Sequence, residues 1–389
     1  MRKQFSEKNY RMQFYDNFFR TFSNSIYSVF APVILYKAGV SVTAIIAIFA
    51  LQFLIMGILT PLCGILSRKI GVADTKFLSY LLKTISMIIV LYVNTNIYYY
   101  IAIAVIYGLS GAINNPLNTY IPGVIVDEKY RGRFNSFAYI LRAISSILGY
   151  FFVGIFLTKD NNVAIAILVF ISYFISYISL LNIDKNKLKY ETKSSFKESY
   201  NYLFKNKDNK KLKLVSGFRS CIIIERLITV PLYIYIFFQD IKTFTFMYIS
   251  STVVELVALF ITGNKLDKRK PSTFNIVSAI KGIITLVFLF IKNSFVLMIN
   301  QSMYKLVDNV YDSAYSALSQ SKVENDKKDT MLLSMIHEMC LCFFEFVILT
   351  VFVIVSIINV NLTFKSMFIS SIIVIVVNAK LVRGWNKES

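Results

Sequence analysis

The 389-residue chain is 56% hydrophobic and 15% aromatic, with 34 Phe and 25 Tyr, and it carries a formal net charge of +20; its mean hydropathy is +0.58. That is more apolar side chain than one soluble core accommodates, because single cores stop growing at about 250–300 residues. A nucleic-acid binder is disfavoured as well: the basic residues are spread over short segments between apolar runs rather than along one stripe, so anionic lipid headgroups are the simpler partner.

Each apolar run is about long enough to cross the hydrocarbon core as a helix, which takes roughly 20 residues. The stretch up to about residue 16 is polar and basic, and no cleavage-like small-residue site follows the first run, so that run is predicted to be a retained span rather than a signal peptide. In chain order the predicted spans are 15–36, 41–65, 77–94, 97–122, 135–157, 163–183, 214–238, 243–263, 274–291, 294–319, 331–358 and 363–381. Of the 42 lysines and arginines, 30 fall in the termini or in every second gap, counting Lys380 at the end of the last span with the C-tail, while the intervening gaps hold only Lys37, Lys159, Lys242, Lys292 and Lys365. This is a positive-inside distribution. It predicts an all-α, multi-pass protein of the cell (plasma) membrane with both termini cytoplasmic, which twelve spans satisfy.

The longest hydrophilic stretch, 184–213, divides the spans six and six. It predicts an N-terminal bundle over 1–183, a basic cytoplasmic linker over 184–213 and a C-terminal bundle over 214–389. Phe196, Tyr200 and Leu203 recur beside lysines at helical spacing, as in a surface amphipathic helix or a solvated linker helix. The halves also share features at an offset of about 199. Phe19-Arg20, Pro32 and Tyr36 recur as Phe218-Arg219, Pro231 and Tyr235, Gly64 recurs as Gly263, and Lys83 recurs one position earlier as Lys281. Several matches in one register indicate internal duplication.

Two six-span halves, a basic central loop and glycine-marked turns after the second and eighth spans resemble the major facilitator superfamily over nearly the whole chain. The family's loop pattern GxLaDRxG corresponds here to Gly64-Ile65-Leu66-Ser67-Arg68-Lys69-Ile70-Gly71, with Arg68 in place of the acid and Lys69 in place of the arginine. In the second half Gly263, Asp267 and Lys268 keep the acid and its basic neighbour. Arg131-Gly132-Arg133 matches the common RGR turn, and Arg142 and Gly149 keep the familiar separation. Tyr150, Ser145 and Ala104 depart from the proline, glycine and basic residue of the drug/proton antiporter subgroup. The resemblance implies two pseudo-symmetric six-helix bundles, a cavity between them and alternating access by rocking one half against the other.

Charges inside the spans are the candidate site, since each costs at least roughly 2.5–3.5 kcal/mol at the bilayer centre unless paired or facing water. Arg20, Lys83, Arg142, Arg219 and Lys281 lie near cytoplasmic ends, where a long side chain can snorkel to headgroups. Asp16, four residues before Arg20, reads as a boundary residue paired with it. The acids Glu225, Glu255, Asp308, Asp312 and Glu345 fall near mid-span and lack a long stem. Lys305, Asp308 and Asp312 share one helix face, and Arg226 adjoins Glu225. A mid-membrane carboxylate with a competing cation suits proton coupling, because burial favours its neutral form and the cation its charged form; internal ion pairs fixing helix packing are the alternative. Asn115 and Asn118, beside Pro116, offer polar groups to a substrate or to a neighbouring helix.

Chemistry of other kinds finds no support. There is no GxxxxGK[ST] phosphate loop, and the sole histidine lies in a span, so neither an ATP-driven pump subunit nor a hydrolase is expected. His337-Glu338 with Cys340 lacks a spaced partner for a metal site, and Cys63, Cys221, Cys340 and Cys342 form no CxxC pair, so no metal and no cofactor are expected. The expectation is a secondary active transporter of a small molecule, monomeric and proton-coupled; the resemblance implies export, the family's habit in bacteria, while the sequence itself leaves import open. The richness in Lys, Asn, Ile and Tyr points to an AT-rich bacterial genome. A non-transporting sensor, immunity or accessory protein on the same fold is the alternative.

Overall fold

The computed structural model describes residues 7–126, 131–190, 197, 201, 207–262, 271–323 and 330–384. Among these the regular elements are all helices. They are α1 (Lys8–Lys37), α2 (Val42–Leu59), α3 (Pro61–Lys69), α4 (Val72–Leu91), α5 (Ile97–Ile125), α6 (Arg131–Thr158), α7 (Asn162–Leu181) and α8 (Lys185–Leu188), followed by α9 (Lys207–Ile224), a π-helical turn (Glu225–Thr229) and α10 (Val230–Phe238), which run on as one rod. The remainder are α11 (Ile241–Thr262), α12 (Pro271–Val287), α13 (Ser294–Val323), α14 (Thr330–Ile358) and α15 (Val360–Gly384).

Local chemistry sets the helix starts. In every lysine-poor gap a short polar side chain receives the first free N–H groups of the following helix. Ser41 accepts from Ala44, Asn96 from Tyr98, Asn161 from Ala164, Asp240 from Thr243, Asn293 from Phe295 and Asn359 from Leu362, at 2.8–3.2 Å. Such caps stop a helix fraying where the connection is only a few residues long. At the opposite end, Gly71 enters α4 with φ +91°, a backbone conformation that disfavours other residues.

Two prolines break the ladder in instructive ways. Pro61 follows Thr60, whose hydroxyl donates to the Met56 carbonyl at 2.7 Å, and the predicted second span is therefore split into α2 and α3. Pro231 lacks the N–H that the Leu227 carbonyl would otherwise receive, and the helix just before it bonds one residue wider, with the Val230 N–H reaching the Glu225 carbonyl. Pro32, its repeat partner, sits inside an unbroken α1.

Seven stretches among the described residues are long and apolar enough to cross a membrane, within α2, α5, α6, α7, the α9–α10 rod, α14 and α15. The long helices α1, α4, α11 and α13 fall outside this group; they carry Asp16 and Arg20, Lys76 and Lys83, Lys242 and Glu255, and Lys305, Asp308 and Asp312. The predicted first span begins earlier than 15, at Lys8, and the seventh earlier than 214, at Lys207. The amphipathic pattern at Phe196, Tyr200 and Leu203 lies outside the described residues.

Helices α1, α2, α4, α5, α6 and α7 pack among themselves, and α9, α11, α12, α13, α14 and α15 do likewise; α2 on α14 and α6 on α11 are the broad contacts joining the two sets. Two apolar clusters stand at different levels. One holds Phe22 to Leu35 of α1, Tyr150 to Leu157 of α6 and Cys342 to Phe352 of α14, with Phe244 of α11. The other holds Tyr10 and Phe14 of α1, Phe134 and Ala138 of α6 and Met331 to Ile336 of α14. On α6, residues 139–149 lie between them.

Candidate functional site

That interval opens onto a cavity of about 410 Å³, bordered by α1, α6, the π-turn rod, α11 and α13. Its wall carries Arg142, Arg219, Arg226 and Lys305 against Glu255, Asp308 and Asp312, with Tyr139, Tyr150, Tyr248 and Tyr304 between them. Charges are tolerated here because they face each other and the cavity instead of lipid.

Most of the charge is organised by α13. Asp308 and Asp312 are one turn apart and reach the same guanidinium, Arg226 Nη1, at 3.1 and 2.7 Å. Arg219 binds the other oxygen of Asp312 at 2.6 Å. Lys281, fully buried on α12 behind the wall, donates to the other oxygen of Asp308. Arg219 and Arg226 are seven residues apart, about two helical turns, so both project from the same side of the rod. Glu225, one residue away, points elsewhere: it is buried and accepts from the Thr285 hydroxyl at 3.3 Å.

Three charged groups on the wall stand apart from that network. Among the described residues, Lys305 has hydroxyl partners only, Tyr150 at 3.3 Å and Thr252 at 3.1 Å, and lies 5.0 Å from the ring centres of Tyr150 and Tyr248. Arg142 lies 5.2 Å from the Tyr139 ring centre, and its Nε is buried without a hydrogen-bond partner. Glu255 is buried on α11 with no cation within salt-bridge distance among the described residues.

A second network lies among α1, α4 and α7. Asp16, fully buried, binds Lys76 at 3.0 Å and accepts from the Tyr80 hydroxyl at 2.9 Å and the Ser176 hydroxyl at 2.6 Å, with Arg20 at 3.7 Å. Lys83 donates to Asn24 at 3.0 Å, and Tyr173 donates to the same oxygen at 2.9 Å.

The structure therefore brings Arg142, Arg226, Glu255, Lys305, Asp308 and Asp312 to one cavity, places Glu225 behind it, and leaves Asn115 and Asn118 outside its wall. Asn115 donates to Met56 Sδ at 3.3 Å and to Glu338 at 3.4 Å, a contact between α5 and α14. The snorkelling expected of Arg20, Lys83, Arg142, Arg219 and Lys281 is corrected: Arg20, Lys83 and Lys281 are buried, Arg142 faces the cavity and Arg219 is paired with Asp312, because Asp16 and Asn17 of its own helix hold Arg20 while Asn24, Asp312 and Asp308 on neighbouring helices hold Lys83, Arg219 and Lys281. Asp16 is likewise a buried hub instead of a boundary residue. Lys76, placed in a loop by the sequence reading, is fully buried; it lies seven residues before Lys83, and that spacing marked the same helix face.

The predicted inner-gate motif is only partly described. A Cβ on Gly64 would stand 2.9 Å from the Met335 methyl of α14, so this glycine marks a close approach of α3 to α14. Arg68 donates to the Gly64 carbonyl at 3.3 Å, and Lys69 is exposed. Gly263, Asp267 and Lys268 lie outside the described residues.

Comparison with known proteins agrees with this architecture. A bacterial homologue of the iron transporter ferroportin in an outward-facing state is similar with a TM-score of 0.69 and 11% identity, over 98% of this chain and 100% of that one. The same kind of homologue soaked with iron gives 0.68 at 11% identity, over 97% of this chain and 98% of that one. The human organic anion transporter MFSD10 (TETRAN) gives 0.65 at 11% identity, over 96% and 98%. At these identities the likeness establishes the fold. No curated protein sequence matches the chain. The sequence profile of the Major Facilitator Superfamily matches residues 17–332, and the chain belongs to that family of membrane transporters.

Proposed function

We propose that the protein is a secondary active transporter that exports a small molecule across a bacterial plasma membrane in exchange for protons. It works as a monomer with twelve spans in two six-helix halves, 1–183 and 214–389, and both termini in the cytoplasm. The observation that carries this reading is the charged cavity, whose wall is drawn from α1 and α6 of one half and from the π-turn rod, α11 and α13 of the other. Apolar clusters above and below it are the surfaces that rocking would separate in turn.

Proton coupling rests on the wall acids. Asp308 and Asp312 each bind two cations, so a proton arriving on either would release a cation and loosen the joint between α13 and the rod. Glu255 has no such lock and is the acid most readily given to the solute or the proton. Glu225 is the buried reserve. The binding candidates are Arg142, Arg226 and Lys305, while Gly64, Arg68, Lys69 and Gly71 form the half of the inner-gate motif described here. Arg68 in the acid's place favours a second reading, an accessory or sensory protein that binds a solute without moving it.

Inside-out vesicles given a cell extract and an imposed pH gradient test the first reading. At least one solute is expected to accumulate with the wild type, detected by mass spectrometry, and to be lost with a protonophore. An identical solute profile with and without the protein overturns transport. The amide variants E225Q, E255Q, D308N and D312N test coupling; proton-driven accumulation that is unchanged in all four excludes these acids.

A further inference from the structure

The cavity wall holds more cation than it neutralises. Among the described residues, four basic groups face three carboxylates on the wall, and behind it the cation Lys281 is matched in number by the buried acid Glu225. Asp308 and Asp312 are already shared among Arg219, Arg226 and Lys281. Among the described residues, Arg142 and Lys305 receive no carboxylate, and Glu255 is the wall acid left to offset both. In a low-dielectric interior an excess of one sign raises the affinity for a ligand of the other.

The neighbours of these two cations are aromatic. Lys305 sits between the faces of Tyr150 and Tyr248, and Arg142 over Tyr139. A volume of about 410 Å³ is that of a pocket for a drug-sized compound instead of an inorganic ion. Resting on the reading of this cavity as the transport site, we infer that its solute is an organic anion. It carries a carboxylate, sulfonate or phosphate group, taken by Arg142 and Lys305, on an aromatic or apolar body that lies against the tyrosines. Glu255 competes with that group for the same cations.

The test uses the full-length protein in nanodiscs, with unfolding read by a thiol-reactive dye, since three of its four cysteines are buried when folded. The probes share one body: 4-phenylbutyrate, 4-phenylbutanesulfonate and 4-phenylbutyl phosphate, against 4-phenylbutanamide and 4-phenylbutylamine. At least one anion is expected to raise the unfolding midpoint at roughly tenfold lower concentration than the amide or the amine. R142Q and K305Q are expected to raise the concentration needed about tenfold, and E255Q to lower it. R142K and K305R, which keep the charge, check that a lost response reflects charge and not folding.

Absence of stabilisation by all three anions, a better response to the amine, or a wild-type response in both R142Q and K305Q overturns the inference. Counterflow of the stabilising anion in proteoliposomes separates the two readings. An anion that binds through Arg142 and Lys305 but does not exchange leaves the anion site standing and defeats the transport reading. Transport of other solutes with no anion response defeats the anion site alone.

Discussion

The chain contains two buried charge networks, one including Arg20 and the other its sequence match Arg219, and they differ in what they face. Around Asp16, the partners Lys76, Tyr80, Ser176 and Arg20 close on one fully buried carboxylate. Around Asp308 and Asp312, the repeat partners Arg219 and Lys281 join Arg226 on the wall of the cavity or directly behind it. The first carboxylate gains hydroxyl donors as well as cations, which is what a charge removed from all solvent requires. The second pair makes do with cations, one of which, Arg226, keeps 38% of its side chain exposed. One ion-paired centre is thus enclosed on every side, while the other borders the cavity.

Substitutions can break or sharpen that contrast. The largest effect on folding is expected from Asp16→Ala, which strands Lys76 as a buried, uncompensated cation at a cost of about 3–5 kcal/mol. A fall in the unfolding midpoint well beyond that of any cavity variant is the expected readout, and an unchanged midpoint would mean that the Asp16 network is not a joint at all. Next comes Gly108→Ala in α5, where a Cβ would stand 2.8 Å from the Gln52 carbonyl oxygen of α2. Backbone cannot swing aside, so about 1–3 kcal/mol of destabilisation is expected, measured in the same way.

Asp312→Asn should reverse the balance. Its cations border the cavity and are partly exposed, so the loss of stability is expected to be smaller, about 1–2 kcal/mol. Gradient-driven solute accumulation in vesicles is expected to fall at least roughly tenfold. Equal stability losses for Asp16 and Asp312 variants would erase the distinction.

The smallest effect belongs to Asp240, outside the spans. Hydrogen bonds from the Thr243 hydroxyl and N–H hold its carboxyl below the ordinary carboxylate value. A group depressed in the folded state stabilises above its unfolded value and loses that contribution as pH falls through the folded one. Asp240→Ala is expected to cost about 0.5–1 kcal/mol at neutral pH. The difference from wild type should shrink on acidification, which pH-dependent unfolding midpoints will show.

Much of this was legible in the sequence. The apolar runs and the sorted lysines located the helices, and the shared face of Lys305, Asp308 and Asp312 named the centre of the cavity wall. Arg226 was identified from its neighbour Glu225, although the two turn out to face different ways. What was missed has a physical reason. Snorkelling and internal pairing place the same lysine at the same depth in a sequence, and only the neighbouring helix decides between them, as Asp308 does for Lys281 and Asn24 for Lys83. Lys76 was hidden because a basic residue near a span end reads as loop. The cavity tyrosines gave no signal either, being four among 25 in the chain.

One contact between repeat partners has a meaning beyond packing. The rings of Tyr36 and Tyr235 meet edge to face at 6.1 Å between centroids. Two copies of a motif can touch through the same residue only where they flank the axis that relates them, as in the isologous contact of a symmetric dimer. The tyrosine pair therefore marks that axis at the lysine-poor end of the molecule.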